Sequence, residues 1–301
     1  MSNEVTKAVD HVKHLQSRKL IVDSHAHAWQ LGKMKANVVE HERARFSEKP
    51  EDFSTDLIAD MDRNGISKAV LHMGKPVPIS LMTSVIDRYP DRFLGFCKFD
   101  MPFPGRENAQ RQVRERLHSH PAIKGIGEVT FFRFGDQTYE DILLDLCSLT
   151  EVAKEQRVPI LFHTGFGTAS PLRYYDPSIL DEVAMAYPEV TIIIGHTGGI
   201  HPPFNEIALM VAMKNDNVYL ETSKAVVPIL QKALEEIGAD RILFGSDWLR
   251  PEALIFGPKS ERSAHLYERN LEVIARLQMT DEDREKVLYK NIERILGACP
   301  A

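Results

Sequence analysis

Leu20-Ile21-Val22-Asp23-Ser24-His25-Ala26-His27 is a short apolar run that closes on two imidazoles one residue apart. Its opening reads as a strand. A strand that ends on paired histidines is poorly suited to a core and well suited to a divalent cation. Strand side chains alternate faces, so positions 25 and 27 point the same way, about 6.5 Å apart along an extended chain, a gap that local twist can close. Three later strand-like runs end in the same manner, on His163, His196 and Asp247.

Outward from that first run, the same unit recurs. Apolar, β-branched segments with little alternation, the pattern of strands covered on both faces, are expected over Leu20 to Ser24, Lys68 to His72, Phe93 to Phe99, Ile123 to Val129, Val158 to His163, Val190 to His196, Val218 to Glu221 and Arg241 to Gly245. Helical spacing fills Phe53 to Asn64, Tyr139 to Glu155, Ile179 to Tyr187, Phe204 to Met213, Val226 to Ile237, Glu261 to Leu277 and Asp281 to Leu296, the last with Thr280 as N-cap and Asp283 three residues on. Eight strand–helix units without an internal linker predict a single (β/α)8 TIM barrel over residues 1–301, with C-terminal helices and a long loop after strand one. A doubly wound sheet would need a glycine-rich phosphate loop after strand one, where this chain has His-Ala-His-Ala-Trp. Residues 28–52 and 164–176 exceed ordinary loops and leave strand C-termini, so both are candidate lids.

Composition narrows the function classes. Lysine and arginine number 37 against 43 acidic residues, a formal charge of -6, and no basic tract appears, which argues against a nucleic-acid partner. Cys97, Cys147 and Cys299 form neither a zinc knuckle nor a disulfide framework, as in a reducing compartment. Residues 1–19 are polar, and no run reaches membrane-spanning length, so a cytoplasmic protein without membrane contact is expected.

The polar strand ends carry the chemistry. His25, His27, His163 and Asp247 are the expected metal ligands, since strands one and eight become neighbours when a barrel closes and strand five faces them across the mouth. Three imidazoles and a carboxylate suit zinc and also accept manganese or iron; hydrogen-bonded structural histidines are the plainer alternative. His196 precedes Thr197-Gly198-Gly199, whose glycines permit close approach to a ligand, and reads as a general acid/base or as the ligand of a second metal. Glu128 ends strand four and could bind a metal, bridge two, orient a histidine or pair with an arginine. Asp247 has a second candidate duty, accepting a proton from an attacking water. Arg173 and Arg250 are candidates to clamp a substrate carboxylate, with Lys98 nearby. Trp29, Phe131, Phe132, Phe166 and Trp248 could wall an aromatic pocket. His72 is a further imidazole at a strand end, and His201 could touch substrate.

Asp23-Ser24-His25-Ala26-His27, Phe162-His163-Thr164-Gly165, Gly195-His196-Thr197-Gly198-Gly199 and Phe244-Gly245-Ser246-Asp247-Trp248 together make the chain resemble the amidohydrolase superfamily, in the amidohydrolase-2 branch that contains aminocarboxymuconate-semialdehyde decarboxylase. The resemblance runs from Ile21 to about Leu296. It implies one divalent metal on His25, His27, His163 and Asp247, His196 as the catalytic histidine of strand six, and a homodimer. Residues 164–176 depart from the tryptophan-rich segment of the decarboxylases, and Glu128 resembles the strand-four glutamate of TatD-like deoxyribonucleases. Both departures favour a hydrolase. The expected reaction is attack of a metal-activated water on the carbonyl of an ester, lactone, amide or carbon–carbon substrate that is small and carboxylated. Nonoxidative decarboxylation of an aromatic or unsaturated acid is the alternative.

Overall fold

A computed structural model describes residues 3–30, 50–73, 77–101, 103–130, 137–165, 172–249 and 265–297. Eight parallel strands run in sequence order around a barrel: β1 (Ile21–Ala26), β2 (Ile66–His72), β3 (Phe93–Cys97), β4 (Ile123–Val129), β5 (Ile160–Phe162), β6 (Ile192–Ile194), β7 (Val218–Glu221) and β8 (Ile242–Leu243). The predicted barrel is therefore the observed fold, with several strands shorter than their apolar runs because the ladders stop before the functional side chains. β8 contributes only two ladder residues. The seam between β8 and β1 is closed beyond them, by Ser24 N–H donating to Phe244 C=O (2.9 Å), Asp247 N–H to His25 C=O (2.8 Å) and His27 N–H to Trp248 C=O (2.9 Å). Strands one and eight are neighbours as expected.

The helices are α1 (Asn3–Ser17), α2 (Ser54–Asn64), α3 (Ile79–Arg88), α4 (Arg106–Leu117), α5 (Tyr139–Gln156), α6 (Ile179–Ala186), α7 (Pro202–Lys214), α8 (Val227–Ile237), α9 (Leu266–Arg276), α10 (Asp281–Glu285) and α11 (Asn291–Gly297). A π turn at Lys286–Lys290 divides the expected Asp281 to Leu296 helix. Thr138 and Asp141 form a reciprocal capping box at the start of α5, and Thr280 accepts from Asp283 N–H at α10, each worth about 1 kcal/mol. The long loop after β1 leaves and returns as a two-stranded ribbon, Trp29–Gln30 against Glu51–Asp52.

Two apolar layers hold the site rigid. One lies between strands and helices. The other fills the barrel interior with Val22, Val70, Phe96, Leu161, Ile193 and Leu243, and α11 plugs its lower end with Ile292, Ile295 and Leu296. Phe96 occupies the space that a side chain at position 125 would take, since a Cβ on Gly125 would meet its ring at 2.6 Å. A packed interior makes the upper rim the open end, where barrels keep their sites. Among the described residues, no helix is long and apolar enough to cross a membrane.

Candidate metal centre

The C-terminal ends of β1, β4, β5, β6 and the segment after β8 bring His25, His27, Glu128, His163, His196 and Asp247 together. All of them except His163 are buried. The His25 and His27 ring centroids are 5.1 Å apart, closer than an extended strand sets them, and the β1–β2 register shifts between Asp23 and Ala26. Asp247 Oδ1 lies 3.3 Å from His27 Nε2 and 3.8 Å from His25 Nε2. Glu128 sits among four imidazoles: Oε1 is 2.6 Å from His163 Nδ1, 3.2 Å from His196 Nε2 and 3.8 Å from His25 Nε2, and Oε2 is 3.5 Å from His27 Nε2.

The expected four-ligand set divides. Two triplets have donor atoms mutually within 4.8 Å: His25, His27 and Asp247, and His25, Glu128 and His196. His163 belongs to neither. Its Nδ1 faces Glu128 Oε1 (2.6 Å) and His196 Nε2 (3.0 Å).

A layer behind these side chains fixes them. His25 Nδ1–H donates to Glu221 Oε2 (3.0 Å), and Ser223 Oγ–H donates to the same oxygen (2.8 Å). Ser223 Oγ then accepts from His196 Nδ1–H (2.7 Å), which leaves His196 Nε2 bare. Glu221 also accepts from the backbone N–H of His196 (3.0 Å) and Ser223 (2.5 Å). Asp23 accepts four hydrogen bonds: from His25 N–H (2.9 Å), Ser246 N–H (3.0 Å), Ser246 Oγ–H (2.5 Å) and Tyr267 O–H (2.9 Å). His27 Nδ1–H donates to His72 C=O (3.1 Å), and His72 Nε2–H to Ser24 C=O (2.9 Å). Burial and the neighbouring rings hold His72 well below the usual imidazole range, so it is a neutral support.

Backbone conformation aims the rim. His196, Thr197, Lys224 and Asp247 are non-glycine residues at φ 64°, 48°, 60° and 50°. Left-handed residues of this kind cost about 1–3 kcal/mol each and collect where a site over-determines them. The glycines of this region serve packing between loops. A Cβ on Gly165 would lie 2.7 Å from the Gly198 carbonyl carbon, and one on Gly245 would run into the Glu221 carboxylate.

The electrostatics ask for a cation. Asp23, Glu128, Glu221 and Asp247 are buried carboxylates in one region. Burial would raise Asp247, but Lys224, in ion-pair contact with Oδ2, and the His27 hydrogen bond hold it well below the usual carboxylate range. Glu128 is held low too: burial raises it, and His163, His196 and His27 more than compensate. Burial lowers His27, yet hydrogen bonds donated to the Asp247 and Glu128 carboxylates bring it up to about 10. Burial and Lys224 take His196 down to about 4. His25 Nε2 has no hydrogen-bond partner among the described residues, and its other nitrogen carries the proton. Nε2 points between two carboxylate oxygens, 3.8 Å from each. Burial lowers the ring, and the Glu221 hydrogen bond with the charges of Glu128, Glu221 and Asp247 more than compensates and raises it above the usual imidazole range, a preference for positive charge that a bound cation would also meet. Nitrogen and oxygen donors of this kind fit a divalent transition metal.

The other candidates are placed as follows. Trp29 and Trp248 are buried in the core, and Trp248 Nε1–H donates to Asp60 Oδ2 (2.8 Å). Arg173 is exposed and stacks on Tyr174, 4.9 Å from its centroid. His201 is exposed at the start of α7. Phe131, Phe132, Phe166 and Arg250 lie outside the described residues. Glu221, Ser223 and Lys224 were missed as site residues. Their signal is the one that marked the histidines, a polar run, Glu-Thr-Ser-Lys, at the end of a buried strand.

The sequence model of an amidohydrolase family matches residues 22–298. None of the curated proteins compared with the chain matches it. Among solved structures, an uncharacterised TIM-barrel protein from Bordetella bronchiseptica is 21% identical, with a TM-score of 0.66, covering 92% of this chain and 98% of its own. The 2,6-dihydroxybenzoate decarboxylase from Rhizobium is 18% identical, with a TM-score of 0.62 and coverage of 92% and 98%. A probable 2-pyrone-4,6-dicarboxylic acid hydrolase from Acinetobacter baumannii is 17% identical, with a TM-score of 0.57 and coverage of 92% and 99%.

Proposed function

From a chain that belongs to the amidohydrolase family, we propose a metal-dependent hydrolase of a small, carboxylated ester, lactone or amide. His25, His27 and Asp247 Oδ1 would hold the ion, with Glu128 and His196 able to complete a second position beside His25. A divalent ion, zinc being our assignment, would supply the Lewis acid that polarises a carbonyl and acidifies water.

The observation that carries hydrolysis over decarboxylation is that both proton-transfer groups stand as acceptors. Asp247 is ionised against Lys224. His196 donates through Nδ1 to Ser223, so Nε2 presents a lone pair. Hydrolysis starts by removing a proton from water, which His196 Nε2 or Asp247 can accept. Glu221 and Ser223 would keep His196 in the one tautomer able to do so, and Nε2 could then return that proton to the leaving group. Aromatic decarboxylation needs a proton delivered to carbon, and with both groups placed as acceptors that proton would first have to come from the substrate hydroxyl or a water.

The test loads metal-free protein with zinc or manganese. Proton release is then followed on carboxylated aryl esters and lactones, and carbon dioxide release on hydroxybenzoates. Turnover of the first set supports the reading. Carbon dioxide release without ester or lactone cleavage would instead assign the activity named for the Rhizobium structure.

A further inference from the structure

Lys224 follows β7 and turns back through a left-handed backbone position (φ 60°), with Ala225 N–H donating to Thr222 C=O across the turn (3.1 Å). Its ammonium pairs with Asp247 Oδ2. The two oxygens of Asp247 are thereby divided. Oδ1 faces the imidazoles of His27 and His25, at 3.3 and 3.8 Å, and Oδ2 is occupied by the lysine. The lysine side chain is 44% exposed, whereas that of Asp247 is 5% exposed. One partner is buried in the site and the other reaches partly exposed surface.

An ammonium on a flexible four-carbon stem has three donors and no preferred plane, so it exchanges one carboxylate for another more readily than a guanidinium does. Lys224 contacts the centre through Asp247 Oδ2, and Arg173 is engaged with Tyr174.

We propose that Lys224 is the specificity residue for a carboxylate on the substrate, and that engaging this group draws the ammonium off Asp247 Oδ2. An anionic substrate then does two things that a neutral analogue does not: it gains a charge-assisted hydrogen bond, and it frees Oδ2 to accept a hydrogen bond at the reacting centre. The inference rests on the hydrolase reading for its second half only, because recognition of the carboxylate requires no turnover.

The experiment uses the zinc-loaded protein with a matched pair of esters, monomethyl isophthalate and methyl 3-carbamoylbenzoate. Isophthalate and isophthalamide serve as non-reacting probes in calorimetry. The wild type is expected to bind isophthalate about tenfold more tightly than isophthalamide. It is also expected to favour the anionic ester by a similar factor, with kcat as well as KM contributing. Lys224→Met should lose both preferences, and Lys224→Arg should restore the binding preference. Circular dichroism checks the fold of each variant, and the wild-type probe comparison stands without any variant. Equal binding of the two probes by the wild type, or a preference that survives in Lys224→Met, overturns the proposal. If neither ester reacts while isophthalate affinity falls in Lys224→Met, the recognition role stands and the hydrolase reading fails.

Discussion

The side chains at the rim and those directly behind them are built on opposite terms. At the rim, His25 Nε2 points between Glu128 and Asp247 without a partner among the described residues, and the bare His196 Nε2 faces Glu128 Oε1 at 3.2 Å. Both nitrogens face carboxylates; burial lowers His25, and the Glu221 hydrogen bond and the surrounding carboxylate charge raise it above the usual imidazole range. Behind the rim, both oxygens of Asp23 and both of Glu221 accept hydrogen bonds from N–H or O–H groups. The rear layer supplies stability and orientation, and the front layer gathers charged groups that balance one another and that a metal ion would reorganise. Function here is concentrated as titratable charge held in place by a hydrogen-bonded layer.

The strongest way to break this comparison is to neutralise one group in front. Asp247→Asn removes the base candidate and one charge at the centre. Its kcat on the best ester of the panel is expected to fall by about 10³–10⁴-fold, while urea unfolding of the metal-free protein loses only about 1–2 kcal/mol, the cost of leaving Lys224 and His27 without their anionic partner. A stability loss as large as the activity loss would mean that the rim is structural after all.

Next in size is the converse substitution behind the rim. Asp23→Ala strands Tyr267 O–H, Ser246 N–H, Ser246 O–H and His25 N–H, all buried. It is expected to cost about 3–4 kcal/mol in urea unfolding. Asp23 and Ser246 add side-chain hydrogen bonds to the β1–β8 seam, beside the backbone bonds made by Ser24, His27 and Asp247.

These two substitutions also mark what could be read in the sequence. The rim was legible, because a histidine or aspartate closing an apolar run is an anomaly visible in one segment. His25, His27, His163, His196, Glu128 and Asp247 all announce themselves in this way, and the barrel follows from the rhythm of the same runs. The rear layer was not legible. Asp23 sits inside the first motif, but its meaning depends on Tyr267, 244 positions away. Glu221 ends a strand with the same signal as the histidines, but nothing in the sequence pairs it with His25, 196 positions away. Placement at the rim was also hidden: His163 turns to Glu128 rather than to Asp247, which depends on how far β4 carries its carboxylate inward. Helices α1, α3 and α4 went unassigned. In α4 the buried stripe is only Ala109, Val113 and Leu117 among arginines and glutamates, too sparse to stand out by period.

A third measurement sharpens the difference by pH. Burial raises Asp23 to about 6, and its four hydrogen bonds only partly offset that rise. The native state therefore holds a proton that the unfolded chain, titrating near 3.8, has already lost. Stability from this group is fully present below about pH 4 and declines as pH rises through 6, by about 2–3 kcal/mol. Glu128 and Asp247, held low, act in the opposite sense and lose stability as pH falls through their depressed range. The difference in unfolding free energy between wild type and Asp23→Asn, followed from pH 4 to 7, isolates the Asp23 contribution. A flat difference would show that the hydrogen bonds fully compensate burial.

The smallest expected effect falls on the residue that joins the two layers. Glu221 touches no reacting atom in this arrangement, yet it orders His25 through Nδ1 and His196 through its backbone and through Ser223. In Glu221→Gln the side chain keeps its shape but loses its charge and one acceptor oxygen. His25 Nδ1–H and the Ser223 pair then compete for the remaining oxygen, and the His25 ring is no longer held to one orientation. Zinc affinity, measured by competition with a chromophoric chelator, is expected to fall about 10–100-fold. The fold should survive, since the substitution strands fewer buried donors than Asp23→Ala does. A purely structural Glu221 would give the reverse pattern, with unfolding free energy reduced and zinc affinity of the folded fraction unchanged. That result would remove the link between the layers and leave the rim to organise itself around the ion.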